Sequence, residues 1–220
     1  MNTEKQKVLI IGANGSTGKL ICNLLKSSSS YSPLAMIRKE AQKEYFEDKG
    51  IETVMGDLEK DFESAFTGVS KVIFAAGSGG STGPEKTIAV DQDGAIKSID
   101  FAQNHKIEKF VMLSSMGAGN PEDFEDSKMH GYLLAKHKAD EHLIKSDLNY
   151  TIVRPGTLTN ETGTGKIEAA QNLGKRGEIS REDVAETLVE VLDSKLASII
   201  SFEMIKGQDK IREALEKLGS

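Results

Sequence analysis

VLIIGANGSTGKLI, residues 8–21, passes from four aliphatic residues to three glycines and then to a helical pattern. Val8 to Ile11 read as a strand buried on both faces. Gly12, Gly15 and Gly18 fall directly after it, where a helix begins. In that position the chain must turn sharply, bring its backbone close to a pyrophosphate and let the helix pack on the strand, and glycine permits each step. The helix N-terminus adds unpaired N–H groups and a partial positive charge. Gly12, Asn14, Gly15, Ser16, Thr17 and Gly18 are therefore candidate cofactor-binding residues. The spacing is Gly-x-x-Gly-x-x-Gly rather than Gly-x-Gly-x-x-Gly, so a tight turn without a ligand is the alternative.

Working outward, similar short runs recur at 7–13, 33–39, 51–57, 71–77, 109–115, 150–156 and 199–205. Most are continuously apolar, and helix-length segments separate them, as parallel crossovers require. Thr17 to Ser27 forms one such helix, with Leu20, Ile21, Leu24 and Leu25 on its apolar face and Cys22 off it. Thr87 to Asn104 forms another, with Ile88, Ile96, Ile99 and Phe101, and Ser180 is the N-cap of a third over 181–193. The expected fold is α/β: a single doubly wound Rossmann domain over 1–220 with a mostly parallel sheet of about seven strands. The glycine-rich stretches 77–84 and 157–165 both follow strands, which places them at the carboxyl edge where such sheets bind ligands. Loops 77–86 and 156–180 are expected to form a small substrate-side portion. Ordinary surface loops are the alternative for both.

The second strand ends in Arg38-Lys39, at the distance where the adenosine ribose of a dinucleotide should lie. An arginine there can pair with a 2′-phosphate, which predicts NADP(H) in preference to NAD(H). A solvated basic pair is the alternative. Asp57, in the GDL that ends the third strand, is placed either to contact the adenine amine or to cap a helix over LEKDFESAF.

Composition excludes other classes. A net charge of -6 leaves no basic footprint for nucleic acid or anionic lipid. The one cysteine, Cys22, cannot form an internal disulfide, and the four histidines show no metal-ligand spacing, so no metal is expected. His137 and His142 are expected to be solvated. No segment approaches a membrane span or a signal-peptide core, so a cytoplasmic protein acting on a small molecule is expected, without nucleic acid or membrane partners. Nothing in the sequence separates monomer from homodimer.

HGYLLAKHKADE, 130–141, holds a misplaced charge. Met129, Tyr132, Leu133, Ala139, Leu143 and Ile144 make one helix face, and Lys136 falls near its centre. A lysine there either snorkels toward Asp140, four residues on, or serves something that needs its charge.

GANGSTG, GDL after the third strand, AAG after the fourth, SS after the fifth, YLLAK and RPG together resemble the short-chain dehydrogenase/reductase superfamily. The resemblance spans essentially the whole chain and is strongest to the atypical NAD(P)-binding branch, with its biliverdin/flavin reductases, NmrA-like redox sensors and bacterial proteins named as sugar epimerases. It implies a catalytic set of Ser115, Tyr132 and Lys136, with Ser114 the competitor for the serine role. Tyr132 and Lys136, four apart on a helix, point the same way, so the ammonium can favour the phenolate and can also hold the nicotinamide ribose. Leu58, Ala76, Gly77, Ser78, Pro155, Gly156 and Thr157 are implied to skirt the cofactor. The implied function is NADP(H)-dependent reduction of a small carbonyl, quinone or flavin-like substrate. A non-catalytic NADP(H) sensor and a sugar epimerase or dehydratase are the alternatives. The roughly 65 residues after Arg154 are expected to complete the sheet, leaving little to hold a sugar nucleotide.

Overall fold

The computed structural model describes residues 5–79, 82–193 and 195–218. Gly80 and Ser81, within the expected loop 77–86, lie outside that range. The main sheet starts with β1 (Gln6–Ile11), β2 (Tyr31–Ile37), β3 (Glu52–Met55), β4 (Lys71–Phe74), β5 (Lys109–Leu113) and β6 (Tyr150–Pro155). It is completed by β8 (Lys166–Ala170), β10 (Ile200–Lys206) and β11 (Asp209–Lys210), in the order β11-β8-β10-β6-β5-β4-β1-β2-β3. All pairings from β3 to β10 are parallel, and β8 joins β10 and β11 antiparallel. A separate two-stranded parallel sheet pairs β7 (Thr157–Thr159) with β9 (Glu178–Ser180).

Alternation within each central strand explains the double winding. Val8, Ile10, Ile73, Val111 and Val153 face one layer, where α1 (Ser16–Lys26), α6 (Arg181–Glu190) and α7 (Ile211–Leu218) pack. Leu9, Ile11, Val72, Phe74, Phe110, Met112 and Ile152 face the other, under α4 (Ala95–Asn104) and α5 (His130–Ile144). Each fully buried aliphatic or aromatic side chain contributes roughly 1.5–3 kcal/mol of transfer free energy, and either helix layer removed would expose one whole set. The chain leaves β1 toward β2 and leaves β4 toward β5, on opposite sides. A crevice therefore opens at the carboxyl ends of β1 and β4.

The sheet has nine strands rather than about seven. The additions are short edge strands: KIEAA of β8 has only Ile167 fully buried, and β11 is two residues long. Neither carries the two-sided apolar pattern that marks the centre. The stretch 156–180 holds β7, β8 and β9 rather than loop alone. Cys22 is buried, and Leu24 is 41% exposed, so the buried face of α1 is Thr17, Gly18, Ile21, Cys22 and Leu25. The packing of α6 against α1 as well as the sheet rotates that face away from Leu24. Between α3 (Pro84–Lys86) and α4 the helix widens into a π stretch, Thr87–Gly94. Its buried members are Asp91 and Gly94, while Ile88 is 48% exposed. Ser180 caps α6 as expected, accepting a hydrogen bond from the Asp183 N–H at 3.0 Å.

Candidate active site

Gly12 follows β1 with φ +89°, in the left-handed region, and a Cβ there would lie 2.5 Å from the Ala76 backbone nitrogen. A Cβ on Gly18 would lie 2.2 Å from the Gly12 carbonyl oxygen. The two glycines thus let strand, loop and helix close to backbone contact. α1 opens on Gly15 with no side chain capping its N–H groups and no acid in its first turn. That leaves an end of partial positive charge available to an anion.

Two adjoining clefts lie over this edge of the sheet. The smaller, about 230 Å³, is lined by Gly15, Ser16 and Thr17, by Ala75, Ala76 and Gly77 after β4, and by Tyr132 and Lys136. The larger, about 980 Å³, is lined by Ser115 and Met116 after β5, by Tyr132, and by Pro155, Gly156 and Thr157 at and beyond the end of β6. Tyr132 belongs to both walls.

Lys136 is sealed from solvent, its side chain 3% exposed. Its ammonium lies 3.0 Å from Asp91 Oδ1 in the π stretch, and the Asp91 side chain is 0% exposed. Lys136 Nζ also donates to the carbonyls of Ala76 at 3.3 Å and Leu113 at 3.4 Å. The other oxygen of Asp91 accepts the Ser78 N–H at 2.9 Å, so one carboxylate holds both the lysine and the loop after β4. Burial works against the Lys136 charge, but Tyr132, Asp91 and Asp140 outweigh it and hold its pKa above the ordinary lysine value.

Asp140 does not pair with Lys136. Its Oδ2 accepts from Ser114 Oγ at 2.8 Å and Arg154 Nε at 3.0 Å. Burial pushes its carboxyl upward, against the pull of Arg154, Ser114 and Lys136. Ser114 is thereby tied to a structural triad with Asp140 and Arg154, although it also reaches the clefts. Ser115 Oγ donates to the neighbouring Met116 carbonyl at 3.3 Å, and the residue lines the larger cleft.

A family defined as NAD(P)H-binding matches residues 12–195. The chain belongs to the NAD(P)H-binding family. It is 45% identical over 215 residues to a Bacillus subtilis protein named as an uncharacterized sugar epimerase, YhfK, covering 96% of this chain and 100% of that one. A solved Bacillus halodurans structure, named as an NAD-dependent epimerase/dehydratase, superposes with TM-score 0.93 at 39% identity over 97% and 100% of the two chains. Sanguinarine reductase of Eschscholzia californica is 27% identical over 256 residues, 97% of this chain and 93% of that one.

Features common to an NAD(P)H-binding protein fit the geometry at the glycine loop, where the backbone cradle and the open end of α1 face the smaller cleft. Among the other expected residues, Asn14 is exposed beside that loop. Arg38 and Lys39 are exposed at the end of β2, their N–H groups held by Gln42 Oε1 at 2.9 and 3.0 Å, and neither forms an ion pair among the described residues. Asp57 accepts the Glu59 N–H at 3.1 Å. It caps a turn rather than a helix over LEKDFESAF, which holds only the 3-10 turn Glu63–Phe66. Leu58 is buried with Met36 in one sheet layer. His137 is not simply solvated, since its Nδ1 lies 2.9 Å from the Ala118 carbonyl; His142 pairs with Asp100 at 2.7 Å.

Asp91 is the residue that sequence reasoning missed. It stands in helical register with Ala95, Ser98 and Ala102, all buried small residues. An acid in line with a small-residue face was the available signal. Among the described residues, no helix is long and apolar enough to cross a membrane.

Proposed function

We propose that this protein is an NADP(H)-dependent oxidoreductase that reduces a small carbonyl, quinone or flavin-like acceptor, the whole chain acting as one cofactor-binding domain. The observation that carries this is the position of Tyr132 in the shared wall of the two clefts. One cleft holds the glycine loop and Lys136, the other Ser115. Bound reduced nicotinamide would supply the two electrons.

Gly12, Gly15 and Gly18, with the N–H groups at Ser16 and Thr17, would hold the diphosphate beside Asn14. Arg38, with Lys39, would take the 2′-phosphate, and Asp57 and Leu58 would border the adenine. Ala76, Gly77, Ser78, Pro155, Gly156 and Thr157 would flank the nicotinamide. The Tyr132 hydroxyl would give its proton to the acceptor oxygen, and Ser115 would donate a hydrogen bond to that oxygen as charge builds on it. Lys136, kept charged by Asp91, would supply the positive field beneath the phenol. Its two carbonyl contacts are long, so exchanging one for a ribose hydroxyl would cost little.

The test is NADPH consumption against aldehydes, ketones, quinones, flavins and nucleotide sugars, with wild type and Tyr132→Phe. Turnover falling by about 100-fold or more in the variant is expected; unchanged turnover would remove Tyr132 from the chemistry. The Bacillus halodurans relative's name says NAD, so NADH belongs in the comparison, and equal dissociation constants for the two cofactors would overturn the role given to Arg38. A sensor is the second reading, because Lys136 is already neutralised by Asp91. Tight NADPH binding without consumption of any acceptor is its signature.

A further inference from the structure

The larger cleft carries a charge opposite to that of the chain. Lys128, Lys138, Arg176 and Arg181 line it and no aspartate or glutamate does, in a protein with 34 acidic residues against 28 Lys and Arg. None of the four pairs with a carboxylate among the described residues. The acids nearest these cations in sequence, Asp126 before Lys128, Asp140 and Glu141 after Lys138, Glu178 after Arg176 and Glu182 after Arg181, do not line the cleft.

Arg176 is exposed at the mouth of the cleft and lies over an aromatic ring. Its guanidinium carbon lies 4.9 Å from the Phe124 ring centroid, a cation–π contact, and it forms no ion pair among the described residues, so its charge is available to an anion. Arg181 is different: it lines both clefts, and its Nη1 is engaged by Asn160 Oδ1 at 2.7 Å, so it belongs to their boundary. Arg176, Lys128 and Lys138 border the larger cleft alone of the two. Much of the remaining wall is apolar, and Tyr132 stands where the two clefts meet. Unpaired cations around an apolar cavity favour a ligand with an apolar body and an anionic group.

Resting on the reductase reading above, we infer that the acceptor is an apolar, preferably aromatic, carboxylate. Its anionic end is held by Arg176 with help from Lys128 and Lys138, and its reducible carbonyl is at Tyr132. The experiment uses matched pairs: para-formylbenzoate and its methyl ester, and anthraquinone carboxylate and its methyl ester. Each is measured for kcat/KM with NADPH and, independently of turnover, for binding by calorimetry with NADP+ present. The acid should exceed its ester by about tenfold or more, the scale of one charge-assisted hydrogen bond. That ratio should collapse in Arg176→Gln and in Lys128→Gln/Lys138→Gln, and should shrink as salt is raised. Equal or better binding of the esters, a ratio unmoved by these variants, or no binding of either acid overturns the inference. Arg176-dependent binding of the acids without NADPH consumption would uphold the anion site and sink the reductase reading. Turnover without preference for the acids would do the reverse.

Discussion

Lys136 and Asp91 are both closed off from water, so removing either one leaves the other charged in a low-dielectric surrounding. Asp91→Ala should therefore lower the unfolding free energy by about 3–5 kcal/mol, read from urea denaturation. The double change Asp91→Leu/Lys136→Met should restore most of that loss, because it removes both charges together. A loss of under about 1 kcal/mol in the single variant would mean that water screens the pair as it does a surface ion pair. The tyrosine-lysine spacing was legible because both residues sit on one helix. The lysine's partner was not, because it comes from a different helix. Asp140 has the obvious spacing, yet Arg154 and Ser114 occupy it. Only the three-dimensional path of the π stretch brings Asp91 to the ammonium.

At the level of elements, the turn from β1 into α1 does two jobs that its glycines separate. Gly18 sits against the Gly12 carbonyl and the Ala13 backbone, so a Cβ there must push the helix off the strand. Gly15 is exposed, with its nearest obstacle 3.2 Å away, and caps the open end of α1. Gly18→Ala should lower both the thermal midpoint and NADPH affinity. Gly15→Ala should weaken NADPH by about tenfold while moving the midpoint by less than roughly 2 °C, as expected of a change confined to the loop. Thermal unfolding and a binding titration distinguish them, and equal effects of the two changes on the midpoint would refute this division. The central strands were legible because Val8 to Ile11 or Phe110 to Met112 are apolar toward both layers. β7, β8, β9 and β11 were not, since residues such as Lys166, Glu168 and Glu178 are tolerated at edges and in short pairings, where one side meets solvent. Cys22 was misjudged for a related reason: α1 packs on both the sheet and α6, which one helical face could not anticipate.

Across the whole molecule, ligand-facing charge at the carboxyl ends of the strands is matched by a second buried pair at their amino ends. Lys71 and Lys109 open β4 and β5 and are direct neighbours in register, 7% and 0% exposed. Their ammonium groups donate to the carbonyls of Leu192 and Ala197, tying down the chain between α6 and β10, and Lys109 also to that of Tyr150 at the start of β6. Burial, and then the charge of Lys71, pushes Lys109 down from 10.5 to about 7. With the folded value below the unfolded one, the unfolded chain binds the extra proton between those limits, so stability rises with pH there and the full penalty stands below about 7. Groups shifted upward work in the opposite sense, but later. Cys22, pushed by burial from 9.0 to about 12, starts to withdraw stability only above pH 9, and Lys136 only above the ordinary lysine value. The interval from pH 7 to 9 therefore isolates Lys109 from these two. Urea denaturation across it should show unfolding free energy climbing by at most about 1.4 kcal/mol per pH unit, the slope of one proton. Lys109→Met should flatten that climb and gain most over wild type at the acid end of the interval. A wild-type profile that is level or falling from pH 7 to 9 would mean that the three carbonyl and amide oxygens around Lys109 keep it charged in the folded protein.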